Sequence, residues 1–128
     1  MLNKYNLDII TRGTNENIQN YNDVIQVLAY SLDKSYCEIK NQINVLNIKN
    51  DTVYNNYLFY KIGICIFKYT NKEWIKTDKQ SISHFYRSNK KGKYLVLTSK
   101  GHLAYINNNF LYCSWNCSRK FIEYYIEL

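Results

Sequence analysis

His102 stands between a Gly101 step and the apolar run Leu103–Ala104–Tyr105–Ile106, and a second hydrophobic run, Lys93–Thr98, leads into it. An imidazole with an ordinary pKa of ~6.5 accepts and returns protons near neutral pH, so a histidine delivered by a strand is the first candidate for chemistry. Downstream lies Cys113–Ser114–Trp115–Asn116–Cys117. A thiol attacks an acyl carbon once it is a thiolate, and a neighbouring imidazole is the usual group that takes its proton. Cys113, Cys117 and His102 can also be drawn as zinc ligands. A single C-x3-C without a second pair is a weak metal signature, and Trp115 would have to point away from the ion. No metal site and no cofactor are therefore expected. Cys37 falls in the first turn of a helix, His84 on the polar side of a short one. The chain carries no phosphate-cradling glycine loop and no serine-centred nucleophile elbow.

A second kind of chemistry is electrostatic. The net charge is +7, and it is uneven: residues 72–100 hold Lys72, Lys76, Lys79, Arg87, Lys90, Lys91, Lys93 and Lys100 against only Glu73 and Asp78. With Trp74, Tyr86 and Tyr94 interleaved, this segment could stack on bases and neutralise phosphates. Lysines scattered over loops are equally the mark of a solvated surface. The basic face centred on Lys90, Lys91 and Lys93 remains an alternative binding surface.

These groups need a scaffold, and 128 residues suffice for one domain with a real core. A hydrophobic content of 46%, with 14 tyrosines, excludes a disordered chain. No window approaches the ~18 apolar residues of a membrane span, and Met1–Arg12 lacks the apolar core of a secretory signal. Four cysteines without such a signal read as free thiols in a reducing compartment. The expectation is a single domain over 1–128 in the cytoplasm, not secreted and not membrane-bound, with residues 1–20 an irregular lead-in.

Asp23 caps a helix over Val24–Leu32 in this reading, and Ser35–Glu38 is a capping box for a second, with Tyr36, Ile39, Ile43 and Leu46 on one face. Asp51 starts a third helix through Val53, Tyr57 and Tyr60, with Gly63 as its left-handed stop. Ile64–Phe67 then reads as a short strand and Lys72–Thr77 as a weaker extended stretch. Ser81 opens a short helix with Ile82, Phe85 and Tyr86 inward. Lys93–Thr98, His102–Ile106, Phe110–Cys113 and Phe121–Glu127 form a meander of about four strands, with a tight turn at Asn107–Asn109. Helices followed by an antiparallel sheet define an α+β fold.

The block GKYLVLTSKGHLAYINNNFLYCSWNCSRKFIEYY, over residues 92–125, resembles a group of small phage and bacterial proteins with a papain-like cysteine peptidase fold. In these a strand, a Gly-His step, a turn, and Tyr-Asp-Thr-Trp-Asp with a basic pair follow one another. YNDVIQVLAYSLDKSYCEI, at residues 21–39, is similar to their N-terminal motif, in which Asp-Cys-Val-Ile-Arg-Ala-Leu-Ala opens a helix. Together the matches span roughly residues 21–46 and 80–127 in the same order. The resemblance implies N-terminal helices packed on the C-terminal sheet, with the first turn of the Asp23 helix beside His102.

His102 and Trp115 match that pattern, but the family's catalytic cysteine aligns with Asp23 and its ring-orienting aspartate with Cys113. The implied protein is a catalytically degenerate domain used as a protein-binding module, with Trp115, Tyr105, Tyr112 and Asn116 lining the old cleft. Phage relatives suggest a viral or mobile-element protein acting on a host factor. Two alternatives stay open: a cysteine hydrolase with a permuted Cys113–His102–Asp23 site, and a nucleic-acid binder using residues 72–100.

Overall fold

The computed structural model describes residues 2–9, 19–43, 56–99 and 101–128. In chain order the elements are strand β1 (Asn3–Asn6), helices α1 (Tyr21–Leu32), α2 (Tyr36–Ile43) and α3 (Asn56–Thr70), strand β2 (Ile75–Ser81), helix α4 (Ile82–Ser88), and strands β3 (Lys93–Thr98), β4 (Leu103–Asn107), β5 (Phe110–Cys113) and β6 (Phe121–Glu127). Every pairing is antiparallel, and the strands lie side by side in the order β1-β5-β4-β3-β6-β2. The α+β class is as expected, but the sheet has six strands rather than about four. Both additions are polar edge strands, β1 reading Asn-Lys-Tyr-Asn and β2 Ile-Lys-Thr-Asp-Lys-Gln-Ser. An edge strand needs only one paired side and gains from lysine, which discourages pairing with another chain. So β1 has no apolar alternation to betray it, and part of the expected lead-in is a strand.

The sheet separates two cores, which explains why Leu95, Val96 and Leu97 are all buried. Side chains alternate across a strand. Leu95 and Leu97, with Leu103, Tyr105 and Ile126, face α1, α2 and α3. Tyr94 and Val96, with Ala104, Ile106, Leu111 and Cys113, face the opposite way, where Ile82 and Phe85 of α4 cover them. Among the described residues no helix is long and apolar enough to cross a membrane.

The start of α1 and the capping of α2 differ from expectation. α1 begins at Tyr21 with Asn20 as its cap: the Asn20 side chain accepts from Asp23 N–H at 2.9 Å, and Asp23 returns the contact to Asn20 N–H at 3.4 Å. Asp23 is thus the third residue of a capping box, not the cap itself. The expected box at Ser35 is half made, since Ser35 Oγ accepts from Glu38 N–H at 3.1 Å.

The larger correction is α3, which runs unbroken through Gly63 and absorbs the expected strand Ile64–Phe67. Leu58, Ile62, Cys65 and Ile66 recur at helical spacing and are all buried. That continuous face overrides one glycine, which costs a helix only ~1 kcal/mol relative to alanine. The left-handed residue that ends the helix is Asn71, at φ 59°, with its N–H on the Phe67 carbonyl. Leu46, Asp51 and Val53 lie outside the described residues.

Candidate functional site

The β3–β4 turn fixes His102 by its backbone. Thr98 N–H donates to the His102 carbonyl at 2.9 Å, and His102 N–H donates to Thr98 Oγ1 at 3.0 Å. Gly101 closes the turn at φ 78°, in the left-handed region where a side chain is strained. One residue on, Gln19 clamps the start of β4. Its Nε2 donates to the Leu103 carbonyl at 2.8 Å, and its Oε1 accepts from Leu103 N–H at 2.7 Å. The β4–β5 ladder runs from Tyr105 to Asn107. The carboxamide therefore stands in for a strand neighbour and ties the entry of α1 to the residue after His102.

The loop from Ser114 to Lys120 brings the thiols to that ring. Asn3 Nδ2 holds the Ser114 carbonyl at 2.9 Å, and Asn116 Oδ1 accepts from Ser118 N–H at 3.1 Å. The start of α4 grips the far end, with Ser83 N–H donating to the Ser118 carbonyl at 2.9 Å and Ile82 N–H to that of Lys120 at 3.0 Å. As a result His102, Cys113 and Cys117 place their ligand-capable atoms within 4.8 Å of one another. All three are buried, at 4%, 0% and 1% exposure. Trp115 does not point away: its ring lies 4.4 Å from that of His102 and is itself 7% exposed.

Within the cluster, Cys117 Sγ lies 3.4 Å from Cys113 Sγ, and Cys113 donates to the Trp115 carbonyl. Both cysteines are free thiols. Burial pushes each thiol up, because a thiolate is poorly solvated there. At Cys113 this is outweighed by the Cys117 thiol, which hydrogen-bonds the thiolate, and by the adjacent His102 ring, so Cys113 is drawn down. Cys117 goes the other way, raised by burial and by its ionisable neighbour. Neither nitrogen of His102 has a hydrogen-bond partner among the described residues, and the same holds for Trp115 Nε1 and Ser114 Oγ.

The remaining expected site residues are dispersed. Asp23 sits in the α1 capping box, outside the Cys-His-Cys cluster. Tyr105 packs with the helix-facing core, and its ring stacks with that of Tyr112 at 5.7 Å, while Cys113 and Trp115 belong to the other face. Tyr105 borders an open groove of about 960 Å³ shared with Tyr30, Lys34 and Lys93. Asn116 borders a smaller one of about 240 Å³ beside Arg87 and Arg119. One cleft lined by Trp115, Tyr105 and Tyr112 is therefore not formed. Lys90, Lys91 and Lys93 are exposed near the β3 end.

One surface was missed by sequence reasoning. Tyr60, Ile64 and Phe67, at 64%, 47% and 46% exposure, make an apolar stripe along the outer side of α3. Beside it runs a groove of about 420 Å³ whose walls include Phe59, Gly63 and Trp74. A helical reading of 58–67 would have found it, since the stripe keeps i, i+4, i+7 spacing. Comparison with protein-family models, curated proteins and solved structures yields no match.

Proposed function

We propose that the chain is a catalytically degenerate papain-like domain acting as a protein-binding module, of the kind a phage or mobile element directs against a host factor. The exposed stripe Tyr60–Ile64–Phe67 beside the Trp74 groove carries this reading. Large apolar side chains left at half exposure on successive helical turns gain free energy only when a partner covers them. The buried state of His102 and Cys113 supports it from the other side, because an acyl substrate has to reach the nucleophile and Trp115 covers the ring.

The test is affinity capture from bacterial lysate with the intact protein and two variants. Ile64→Asp should abolish recovery of the bound protein, while reversing Lys90, Lys91 and Lys93 to Glu should leave it intact. Capture that persists in Ile64→Asp but is lost in the charge-reversed variant, with nucleic acid in the eluate and steep salt dependence, favours the basic-segment reading instead.

A second reading, a cysteine hydrolase using Cys113 and His102, has the closeness of thiol and ring in its favour. Thiol-sensitive turnover of peptide or isopeptide substrates, abolished by Cys113→Ser, would establish it over the first.

A further inference from the structure

We propose that His102, Cys113 and Cys117 form a binding site for a thiophilic divalent cation of the zinc class, a property independent of the partner-binding reading above. The donor set is two thiols and one imidazole, converging within 4.8 Å from the head of β4, the end of β5 and the loop that follows. Two thiolates and an imidazole suit zinc, and three protein donors leave a fourth position for water or an added ligand. The spacing is close to what the ion requires. Zn–S bonds of about 2.3 Å in a tetrahedron put two sulfurs about 3.8 Å apart. The observed Sγ–Sγ distance is 3.4 Å, so the thiols need only a small separation to admit the ion.

The second line of support is the histidine. A ring at 4% exposure with neither nitrogen hydrogen-bonded among the described residues leaves buried polar atoms without partners. Such groups cost stability unless something else satisfies them. A cation bound through one nitrogen would satisfy that atom directly. Coordination involves no redox change: each thiol releases one proton to solvent, and two S–H bonds are exchanged for two metal–sulfur bonds. The ion would pin the Cys113–Cys117 loop to the His102 turn, adding a direct link between stretches that hydrogen bonds already hold.

The experiment uses the full chain, reduced and stripped of metal, titrated with Co2+ and then Zn2+. The expected result is a visible ligand-field spectrum of tetrahedral intensity, with thiolate-to-cobalt charge transfer, saturating at one ion per chain and bleached by Zn2+. Cys113→Ser and Cys117→Ser should each remove charge-transfer intensity, and His102→Ala should weaken binding by at least roughly tenfold, while Cys37→Ser changes nothing. Should the core variants not fold, the native chain still decides: Zn2+ must protect Cys113 and Cys117, and not Cys37, from alkylation mapped by mass spectrometry. No cobalt spectrum and no protection would overturn the site. So would a spectrum that survives the Cys113→Ser, Cys117→Ser double variant, or a ready Cys113–Cys117 disulfide in a chain that takes up no metal once reduced.

Discussion

Replacing Gln19 tests how α1 and the His102 turn are joined. Its side chain is 3% exposed and makes two good hydrogen bonds to one residue, at 2.8 and 2.7 Å to the Leu103 carbonyl and N–H. Gln19→Ala leaves both backbone groups unpaired in a buried setting. Each such group costs ~1–3 kcal/mol, and water entering the gap returns part of it, so the net loss should be ~2–4 kcal/mol. For a chain of this size that lowers the melting temperature by roughly 8–15 °C. Urea denaturation should show the midpoint falling with the m-value unchanged.

Gln19→Glu sharpens the test. At pH 8 the introduced carboxylate accepts from Leu103 N–H but opposes the Leu103 carbonyl; once protonated it donates to that carbonyl and both bonds return. Burial and the facing carbonyl raise its folded pKa above the ~4.3 of the unfolded chain. The recovered stability is therefore complete below pH ~4.3 and is lost as pH rises through the folded value. A Gln19→Ala loss under ~0.5 kcal/mol, or a Gln19→Glu variant equal to wild type at pH 8, would refute the strand-substitute role.

Four other outcomes are expected. Gly63→Ala should stabilise by ~0.5–1 kcal/mol in thermal or urea melts, because Gly63 is inside α3 and an added Cβ meets the Trp74 ring at an ordinary 3.6 Å; a loss would restore the reading of Gly63 as a helix stop. Burial pushes the Cys65 thiol up to about 11, so it stays protonated in the fold while the unfolded chain ionises it from about pH 9. Stability should then fall between pH 9 and 11, by ~2–3 kcal/mol from this group, and the gap between wild type and Cys65→Ala should narrow over that range. Timed maleimide labelling should modify exposed Cys37 first and leave Cys65, Cys113 and Cys117 slow. Trp115→Ala should cost ~3–5 kcal/mol and speed labelling of Cys113 and Cys117 together.

What could be read from the sequence follows the strength of the local signal. The strand runs around Leu95–Leu97 and Leu103–Ile106 are dense in apolar residues, and the Asn107–Asn109 turn has Asn108 at φ 54°, so β3, β4 and β5 were legible. Ser81 caps α4 as read, its Oγ accepting from His84 N–H. A lone glycine reads as a helix stop, but the spacing of Leu58, Ile62 and Ile66 around Gly63 carries α3 through it. A single C-x3-C without a second pair is a weak metal signature, and its third donor is His102. That residue joins the cluster only when β4 and β5 pair, and β-pairing partners are not encoded in any single segment. Nor could alternation alone tell which strand residues share a face. Tyr105 and Tyr112 pair directly across β4 and β5, and this places both on the helix side while Cys113, the next residue, turns away.

The reactive groups of this chain are placed differently from a papain-like thiol nucleophile. A thiolate nucleophile of that class draws its reactivity from a helix N-terminus, where the backbone amides favour negative charge. Here the α1 terminus carries Asp23, and its carboxylate is already engaged with Asn20 N–H, so the amide field stabilises a cap. The ionisable thiol is Cys113, which owes its lowered pKa to Cys117 and His102 on the opposite face of the sheet, with no helix terminus contributing. Favouring the thiolate is not the same as presenting it. At 0% exposure, Cys113 is enclosed by the protein's own atoms. Two thiols and an imidazole converging in a buried place suit a cation, whereas turnover would need Cys113 to become accessible. Labelling of Cys113 in Trp115→Ala, compared with hydrolysis by the same variant, therefore separates the two: reactivity that rises without turnover assigns the thiol to binding.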